Sequence, residues 1–271
     1  MKQSKESILT RNSEVRKSRI DKLFQEKDNH ILNIYCTAGY PELDNTLTIL
    51  KSLQQCGVDI IELGMPYSDP LADGPVIQAS SSIALKNGMT IPYLFEQLND
   101  FRNEIHIPVV LMGYLNPILQ YGFEKFCAKA FETGIDGLII PDIPVHEYEN
   151  EYKNIVTKYG LDFIFLITPE TSEQRVRKLD ELSSGFLYAV SSSSITGSEK
   201  NFEDVTSYVR RLKQMKLKNP ILVGFGIKDK KTFDAACSVA NGAIIGTAYI
   251  KAIEGGDVKR NTMEFVGRIR E

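Results

Sequence analysis

The chain has 271 residues, enough for one large domain or two small ones. With 32 basic and 35 acidic residues its formal net charge is −3, so no basic excess indicates nucleic acid or a charged membrane as a partner. A hydrophobic fraction of 42% and a charged fraction of 25% exclude disordered and collagen-like classes. No apolar stretch approaches the ~18 residues of a membrane span, and the N-terminal segment lacks a secretory apolar core, so we expect a cytoplasmic protein.

The cysteines and histidines indicate neither a metal site nor a disulfide framework. The four cysteines lie far apart, without a CxxC motif and without a histidine at ligand spacing. We expect reduced thiols in packing roles at Cys36, Cys56, Cys127 and Cys237. The three histidines lie in no triad-like motif, which favours structural roles for them.

An amphipathic segment precedes the first apolar run. Val15, Ile20, Leu23 and Phe24 recur at helical spacing among alternating charges, which predicts an extra N-terminal helix. A helix that caps the bottom of a barrel is the favoured interpretation. A basic arm for nucleic acid is the weaker alternative.

Eight short apolar runs alternate with longer amphipathic segments, a pattern typical of βα units and a parallel sheet. The predicted strands begin at Ile31, Val58, Pro108, Gly137, Phe163, Phe186, Ile221 and Ala243. The predicted helices cover approximately residues 42–55, 75–86, 91–103, 122–133, 147–158, 172–182, 202–214, 230–239 and 257–268.

This order predicts an α/β fold of the TIM (β/α)8 barrel type. An open doubly wound sheet remains the alternative, but no GxGxxG motif follows the first strand. No repeat, linker or low-complexity tract divides the chain, so we expect a single domain over residues 1–271. In such a barrel the chemistry lies at the carboxyl ends of the strands.

Glu62 ends the second predicted strand, on the same face as Val58 and Ile60, because side chains alternate along a strand. If that face is the barrel interior, desolvation favours the protonated carboxyl and a role as an acid near neutral pH. An outward Glu62 that pairs with a helix residue is the alternative.

The loop after this strand, GMPYSDPLADGP, has the composition of a shaped loop. Asp73 in it is the second candidate carboxylate, which could accept a substrate N–H and stabilise positive charge developing there. Asp69 and Asp73 could equally be turn formers or caps. Tyr188 in the sixth strand shares the parity of Phe186, so its phenol could reach a substrate hydroxyl or could be a core tyrosine.

Glycine-bearing turns follow the last two strands, at Gly224-Phe225-Gly226 and Gly246-Thr247. A Thr196-Gly197 pair lies in the long loop after the sixth strand. Glycine allows close backbone approach to an anion, and barrels of this type habitually bind phosphate after strands seven and eight. The pattern therefore predicts a phosphorylated ligand.

The segment IIELGMPYSDPLADGPVIQAS, residues 60–80, closely resembles the signature of the tryptophan synthase alpha chain family. One further matching motif, TAGYP, precedes this segment, and five come after it in the family's order and spacing: LMGYLNPI, GLIIPDIP, GFLYAVSSSSITG, ILVGFGI and GAIIGTA. The match extends from about residue 15 to 270. The resemblance implies a TIM-barrel lyase that cleaves indole-3-glycerol phosphate to indole and glyceraldehyde 3-phosphate, without a cofactor or metal in this chain.

The resemblance also implies residue roles. Glu62 matches the family's catalytic glutamate, Asp73 the aspartate that holds the indole N–H, and Tyr188 the active-site tyrosine. The positions that match the family's phosphate site are Thr196, Gly197, Gly226, Gly246 and Thr247. The chain departs from the commonest pattern at Ser192 and Ser194, where many members have arginine and glycine, and at Thr247, where serine is usual.

The resemblance further implies a partner. Family members work with a tryptophan synthase beta chain that carries pyridoxal phosphate, in an alpha-beta-beta-alpha complex, and the free alpha chain is poorly active. The MPYSDP loop and the segment near Asn116 match the surface that faces this partner. A stand-alone lyase, a decayed activator of the beta chain and another phosphate-binding barrel enzyme are the alternatives.

Overall fold

The apolar runs of the sequence form one parallel sheet in a computed structural model that describes residues 18–190, 200–224 and 226–271, with residues 200–206 described by their backbone alone. The sheet contains β1 (Ile31–Thr37), β2 (Ile60–Gly64), β3 (Val109–Met112), β4 (Gly137–Ile139), β5 (Asp162–Phe163), β6 (Leu166–Ile167), β7 (Leu187–Val190), β8 (Ile221–Gly224) and β9 (Gly242–Ile245). Its strand order is β5-β4-β3-β2-β1-β9-β8-β7-β6, with every neighbouring pair parallel.

The two ends of this order belong to one short stretch of chain, residues 162–167. Its first half, β5, pairs with β4, and its second half, β6, pairs with β7. Backbone hydrogen bonds continue this switch, since Ile164 donates to Leu138 and Tyr188 donates to Phe165. The ring of eight strand segments is therefore closed through the chain itself, and the predicted (β/α)8 barrel is confirmed. The continuous fifth strand predicted from Phe163 is wrong, because each half of the segment bonds a different neighbour.

The helices cover the outside of the sheet. They are α1 (Arg19–Glu26), α2 (Asn45–Gln55), α3 (Pro75–Lys86), α4 (Ile91–Gln97), α5 (Leu115–Tyr121), α6 (Phe123–Thr133), α7 (Val145–Glu147), α8 (Lys153–Lys158), α9 (Glu173–Leu182), α10 (Lys200–Gln214), α11 (Lys230–Val239), α12 (Thr247–Ala252) and α13 (Val258–Arg270). A 3-10 turn follows α4 at Phe101–Asn103, and a π-helical turn joins α7 to α8 at Tyr148–Tyr152.

The helices over residues 75–86 and 230–239 have the predicted bounds. The prediction of one continuous helix over 147–158 is wrong, because a π-helical turn interrupts it. Two short helices, α5 and α12, are not predicted. A helix of six or seven residues is too short to show an apolar period. In both cases it follows directly on the carboxyl end of a strand.

Alternation along the strands fills the barrel interior with one layer of apolar side chains, one from each of the eight strand segments. These side chains are all buried: Ile31, Ile60, Val110, Ile139, Ile164, Phe186, Leu222 and Ile244. The opposite parity, for example Leu32, Ile34 and Cys36 of β1, packs in the larger cluster between sheet and helices. These eight side chains form a buried apolar layer beneath the carboxyl ends of the strands, which is called the floor below.

Helix α1 closes the barrel bottom, as the amphipathic pattern predicts. Ile20 is fully buried in the interior cluster, with Leu23 and Phe24 packed partly against it, whereas Val15 lies outside the described residues. Ser18 caps the helix by accepting from the Asp21 amide at 3.0 Å. These contacts favour a helix that plugs the bottom of the barrel over a basic arm that binds nucleic acid.

Ionic contacts fasten the same helix to the barrel. Arg19 donates to the buried Asp136 carboxylate at 2.8 Å, and Arg102 donates to its other oxygen. At the other end, Lys27 and Arg270 both donate to Asp59. The first and last described helices are therefore held to one face, the amino ends of the strands.

Replacing Ile20→Ala is expected to lower the free energy of unfolding by about 2–5 kcal/mol, because it removes buried methyl groups from the plug and leaves a cavity. Urea denaturation measures the loss. Met263→Ala, at an apolar side chain that is 57% exposed, is the control and should change stability by less than about 0.5 kcal/mol. Equal losses in the two variants would contradict the plug.

Candidate active site

A cavity of about 1150 Å³ lies above the apolar floor, at the carboxyl ends of the strands. Side chains and glycines from several strand ends and loops line it, among them Tyr35, Asp73, Tyr188, Gly226, Gly246 and Thr247. Three predicted phosphate positions and two of the three predicted catalytic residues thus share one cavity. Polar groups at the carboxyl ends of barrel strands are where this fold places chemistry.

Glu62 lies beneath the cavity wall and is fully buried. It stands two residues after Ile60 of the floor, so its side chain faces the interior, which favours the inward alternative of the sequence analysis. Its Oε1 accepts a hydrogen bond from Asn33 Nδ2 at 2.6 Å, while Oε2 has no partner among the described residues. Burial raises the pKa of Glu62 to about 8, and the bond from Asn33 opposes this only in part.

Asp73 is held by a tyrosine from the next strand. The Tyr114 hydroxyl, just after β3, donates to Asp73 Oδ2 at 2.9 Å and accepts from the Ala72 amide at 2.9 Å. Asp73 is half-buried. Burial raises its pKa above the usual range and the bond from Tyr114 lowers it. These contacts fix one carboxylate oxygen and leave the other, Oδ1, as a potential acceptor.

Two tyrosines occupy the interior above the floor, and each packs on a glycine. Tyr188 continues the parity of Phe186, and a Cβ on Gly224 would lie 2.5 Å from its hydroxyl. Tyr35 of β1 likewise fills the space where a side chain at Gly64 would stand. Burial raises the pKa of the Tyr188 phenol well above its usual range, and the nearby charge of Glu62 raises it further. Both phenols therefore stay neutral hydrogen-bonding groups.

The far end of the cavity carries the glycine-bearing turns. Gly226 has φ +59°, a left-handed conformation that favours glycine, and Gly246 immediately precedes Thr247, the first residue of α12. Positive side chains also line the cavity, namely Arg175, Lys228, Lys251 and Arg268. Thr196 and Gly197, together with Ser192 and Ser194, lie outside the described residues.

Three site residues were not among the candidates from the sequence: Asn33, Tyr35 and Tyr114. Asn33 and Tyr35 share the parity of the floor residue Ile31 on β1, so the alternation argument applied to Glu62 would also have identified them. Tyr114 follows the carboxyl end of β3, where the barrel rule places functional groups. The sequence signal that could have identified these residues is the alternation of inward-facing positions along every strand.

In the part of the chain that the structure describes, no cluster of three or more His, Cys, Asp or Glu is arranged to hold a metal ion. Over the same residues, no helix has the length and apolarity to cross a membrane.

Fold and site together define the class: a (β/α)8 barrel with one buried carboxyl group, a second one in a cavity wall, and glycine-bearing turns at the carboxyl ends of its strands. A family model described as tryptophan synthase alpha chain matches residues 21–268. The chain therefore belongs to the tryptophan synthase alpha chain family, whose members are lyases that cleave indole-3-glycerol phosphate in tryptophan biosynthesis.

Similar sequences and solved structures agree. The chain is 55% identical to a tryptophan synthase alpha chain of Flavobacterium johnsoniae, covering 93% of this chain and 100% of the relative. It is 54% identical to one of Christiangramia forsetii, over 93% and 98%. The tryptophan synthase alpha subunit of Legionella pneumophila superposes with a TM-score of 0.85 at 33% identity, over 93% of this chain and 97% of that one.

Gly224→Ala is expected to lower stability by about 1–3 kcal/mol and to displace the Tyr188 ring, because the new methyl overlaps the phenol. Thermal unfolding and a crystal structure of the variant measure the two effects. Gly267→Ala in α13, where a Cβ meets nothing within 4 Å, is the matched control. It should stabilise the helix by about 0.5–1 kcal/mol. An unmoved Tyr188 in Gly224→Ala would contradict the packing argument.

Proposed function

We propose that Glu62 is the general acid and base of indole-3-glycerol phosphate cleavage and that Asp73 stabilises the positive charge that develops on the indole nitrogen. One observation carries the proposal: two carboxyl groups lie near the carboxyl ends of the strands in different environments, Glu62 fully buried behind the cavity lining and Asp73 in the lining itself. Such a pair can divide acid and electrostatic work.

Glu62 begins the reaction in its protonated form, which its pKa of about 8 supports at neutral pH. It transfers this proton to C3 of the indole ring, and the ring becomes an iminium-like electron sink. The Glu62 carboxylate then takes the proton of the side-chain hydroxyl adjacent to C3. The bond from C3 to that carbon breaks, its electron pair returns to the ring, and indole, the aldehyde product and protonated Glu62 result.

Asp73 acts on the nitrogen side of the ring. Its Oδ2 is occupied by Tyr114, so Oδ1 is available to accept the indole N–H. The acceptor is already oriented before charge develops, which lowers the reorganisation cost of the transition state. Tyr188 is proposed to support Glu62 and a substrate hydroxyl as a neutral phenol, and its raised pKa supports this role.

The phosphate group is proposed to bind at the opposite end, at backbone N–H groups of Gly226, Gly246 and Thr247 with Thr196 and Gly197. Support comes from the left-handed Gly226 and from lysine and arginine side chains along the same cavity. Thr247 retains the hydroxyl and the N–H that a serine would offer.

The proposed partner is a tryptophan synthase beta chain, which carries pyridoxal phosphate, in an alpha-beta-beta-alpha complex. Leu71, in the loop before Asp73, is 87% exposed, and Leu119 of α5 is exposed as well. Asn116 Nδ2 donates to the Tyr67 hydroxyl at 3.2 Å and so joins the two segments. Exposed apolar side chains on segments joined to Asp73 are suited to an activating partner. A cytoplasmic location is proposed with it, which the four free cysteines support.

Indole release from indole-3-glycerol phosphate, by the chain alone and with a beta chain, tests the assignment. Glu62→Gln is expected to lower kcat about 10²–10⁴-fold, because it cannot give a proton. Asp73→Asn should cost about 10²-fold or more. The matched control is Glu132→Gln, an exposed carboxylate of α6 that pairs with the surface Lys129. Near wild-type turnover in Glu62→Gln would exclude the proposed acid.

The pH profile of kcat/KM gives an independent check. Since Glu62 must start protonated, activity should be retained below its pKa of about 8 and fall about tenfold per pH unit above it. On the acid side, activity should fall as Asp73 gains a proton. Glu132→Gln should leave both limbs in place. An activity that increases through pH 8 would show that the ionised form of Glu62 begins the reaction.

A further inference from the structure

The side chain of Asn33 reaches Glu62 from below the cavity. Asn33 lies on β1 in register with Ile60 of the floor, one inward position below the pair of Tyr35 and Glu62. Both Asn33 and Glu62 are fully buried, and their hydrogen bond measures 2.6 Å. Glu62 is thus bonded to the inward residue one position below it, and it is not among the residues that line the cavity with Asp73 and Tyr188.

Two buried oxygens at this contact are left without partners among the described residues, Asn33 Oδ1 and Glu62 Oε2. Both are acceptors when Glu62 is ionised, and a buried acceptor without a donor is costly. A primary amide and a carboxylic acid can form two parallel hydrogen bonds, since each presents one donor and one acceptor. A single proton on Oε2 would supply the missing donor for both oxygens.

The titratable groups around Glu62 carry no positive charge. The charge of Glu62 raises the pKa of Cys36 on β1 and of Tyr188 on β7, and Tyr35 lies opposite Glu62 in the strand register. Within the described residues, no lysine, arginine or histidine contributes to the pKa of Glu62. Neutral neighbours over an apolar floor make the protonated acid the stable form.

We propose that Asn33 is a positioning residue that holds Glu62 as a protonated amide–acid pair. The inference rests on the proposed role of Glu62. In this pair Asn33 Nδ2 donates to Oε1, and the Oε2 proton is donated to Asn33 Oδ1. The proton that starts the reaction is thus held on an oxygen that solvent does not reach.

Infrared spectroscopy of the full chain tests the pair without substrate. The carbonyl band of a protonated, hydrogen-bonded carboxylic acid is expected in the wild-type spectrum at neutral pH, and it should be absent from Glu62→Gln. The band should disappear as pH rises through about 8. An ionised Glu62 at neutral pH, with no such band, would overturn the proposal.

Asn33→Leu keeps the side-chain shape and removes both hydrogen bonds. The band should move to the higher frequency of an acid without hydrogen bonds. The pH at which it disappears should rise by about one unit, because Asn33 is the only donor to the carboxylate among the described residues. Asn33→Ala provides a second variant should the leucine impair folding. Thr262→Val, which loses a buried hydrogen bond to Tyr249 in the outer layer, is the control and should leave the band unchanged. An unchanged band in the Asn33 variants would show that Asn33 only fills space.

Indole release separates this inference from the proposed function. In Asn33→Leu the alkaline limb of kcat/KM should move upward together with the infrared midpoint. If the spectra behave as expected but no variant or wild-type protein releases indole, with or without a beta chain, the pair stands and the proposed function fails. If indole is released and the alkaline limb of kcat/KM is the same in the wild type and in Asn33→Leu, the proposed function stands and the role of Asn33 fails.

Discussion

The alternation of side chains along eight closed parallel strands is the constraint on which the site depends. It directs one residue from each strand segment inward and builds an apolar floor that α1 seals from below. A carboxyl placed two residues further along β2 must stand on that floor, without water beneath it. The chemistry expected of Glu62 is therefore a result of where its strand ends and of what the other seven strands contribute.

Above the floor, large side chains pack against glycines on the neighbouring strands. Tyr35 and Tyr188 project into the interior only because Gly64 and Gly224 have no side chains on the neighbouring strands. These glycines are needed for room rather than for backbone conformation, since neither has a positive φ. The cavity is thus shaped by pairs of residues on adjacent strands, and a change at one member alters the position of the other.

Most of the architecture could be predicted from the sequence because strand and helix periods repeat along it, and the inward direction of Glu62 follows from Ile60 by counting. The division of residues 162–167 could not be predicted, since it depends on which neighbour each half bonds. The bond from Tyr114 to Asp73 joins residues 41 positions apart through loop geometry. Loop contacts of this kind have no period that a sequence pattern can report.

The burial of Glu62 also couples folding to proton binding. Its pKa is about 8 in the folded chain against 4.5 for the free side chain, so between these values the native state keeps a proton that the unfolded chain has released. This contribution to stability is complete below the lower value and is lost as pH rises through the upper one. Paired surface carboxylates behave in the opposite way. In alkaline solution the ionisation of one interior side chain therefore weakens the whole barrel.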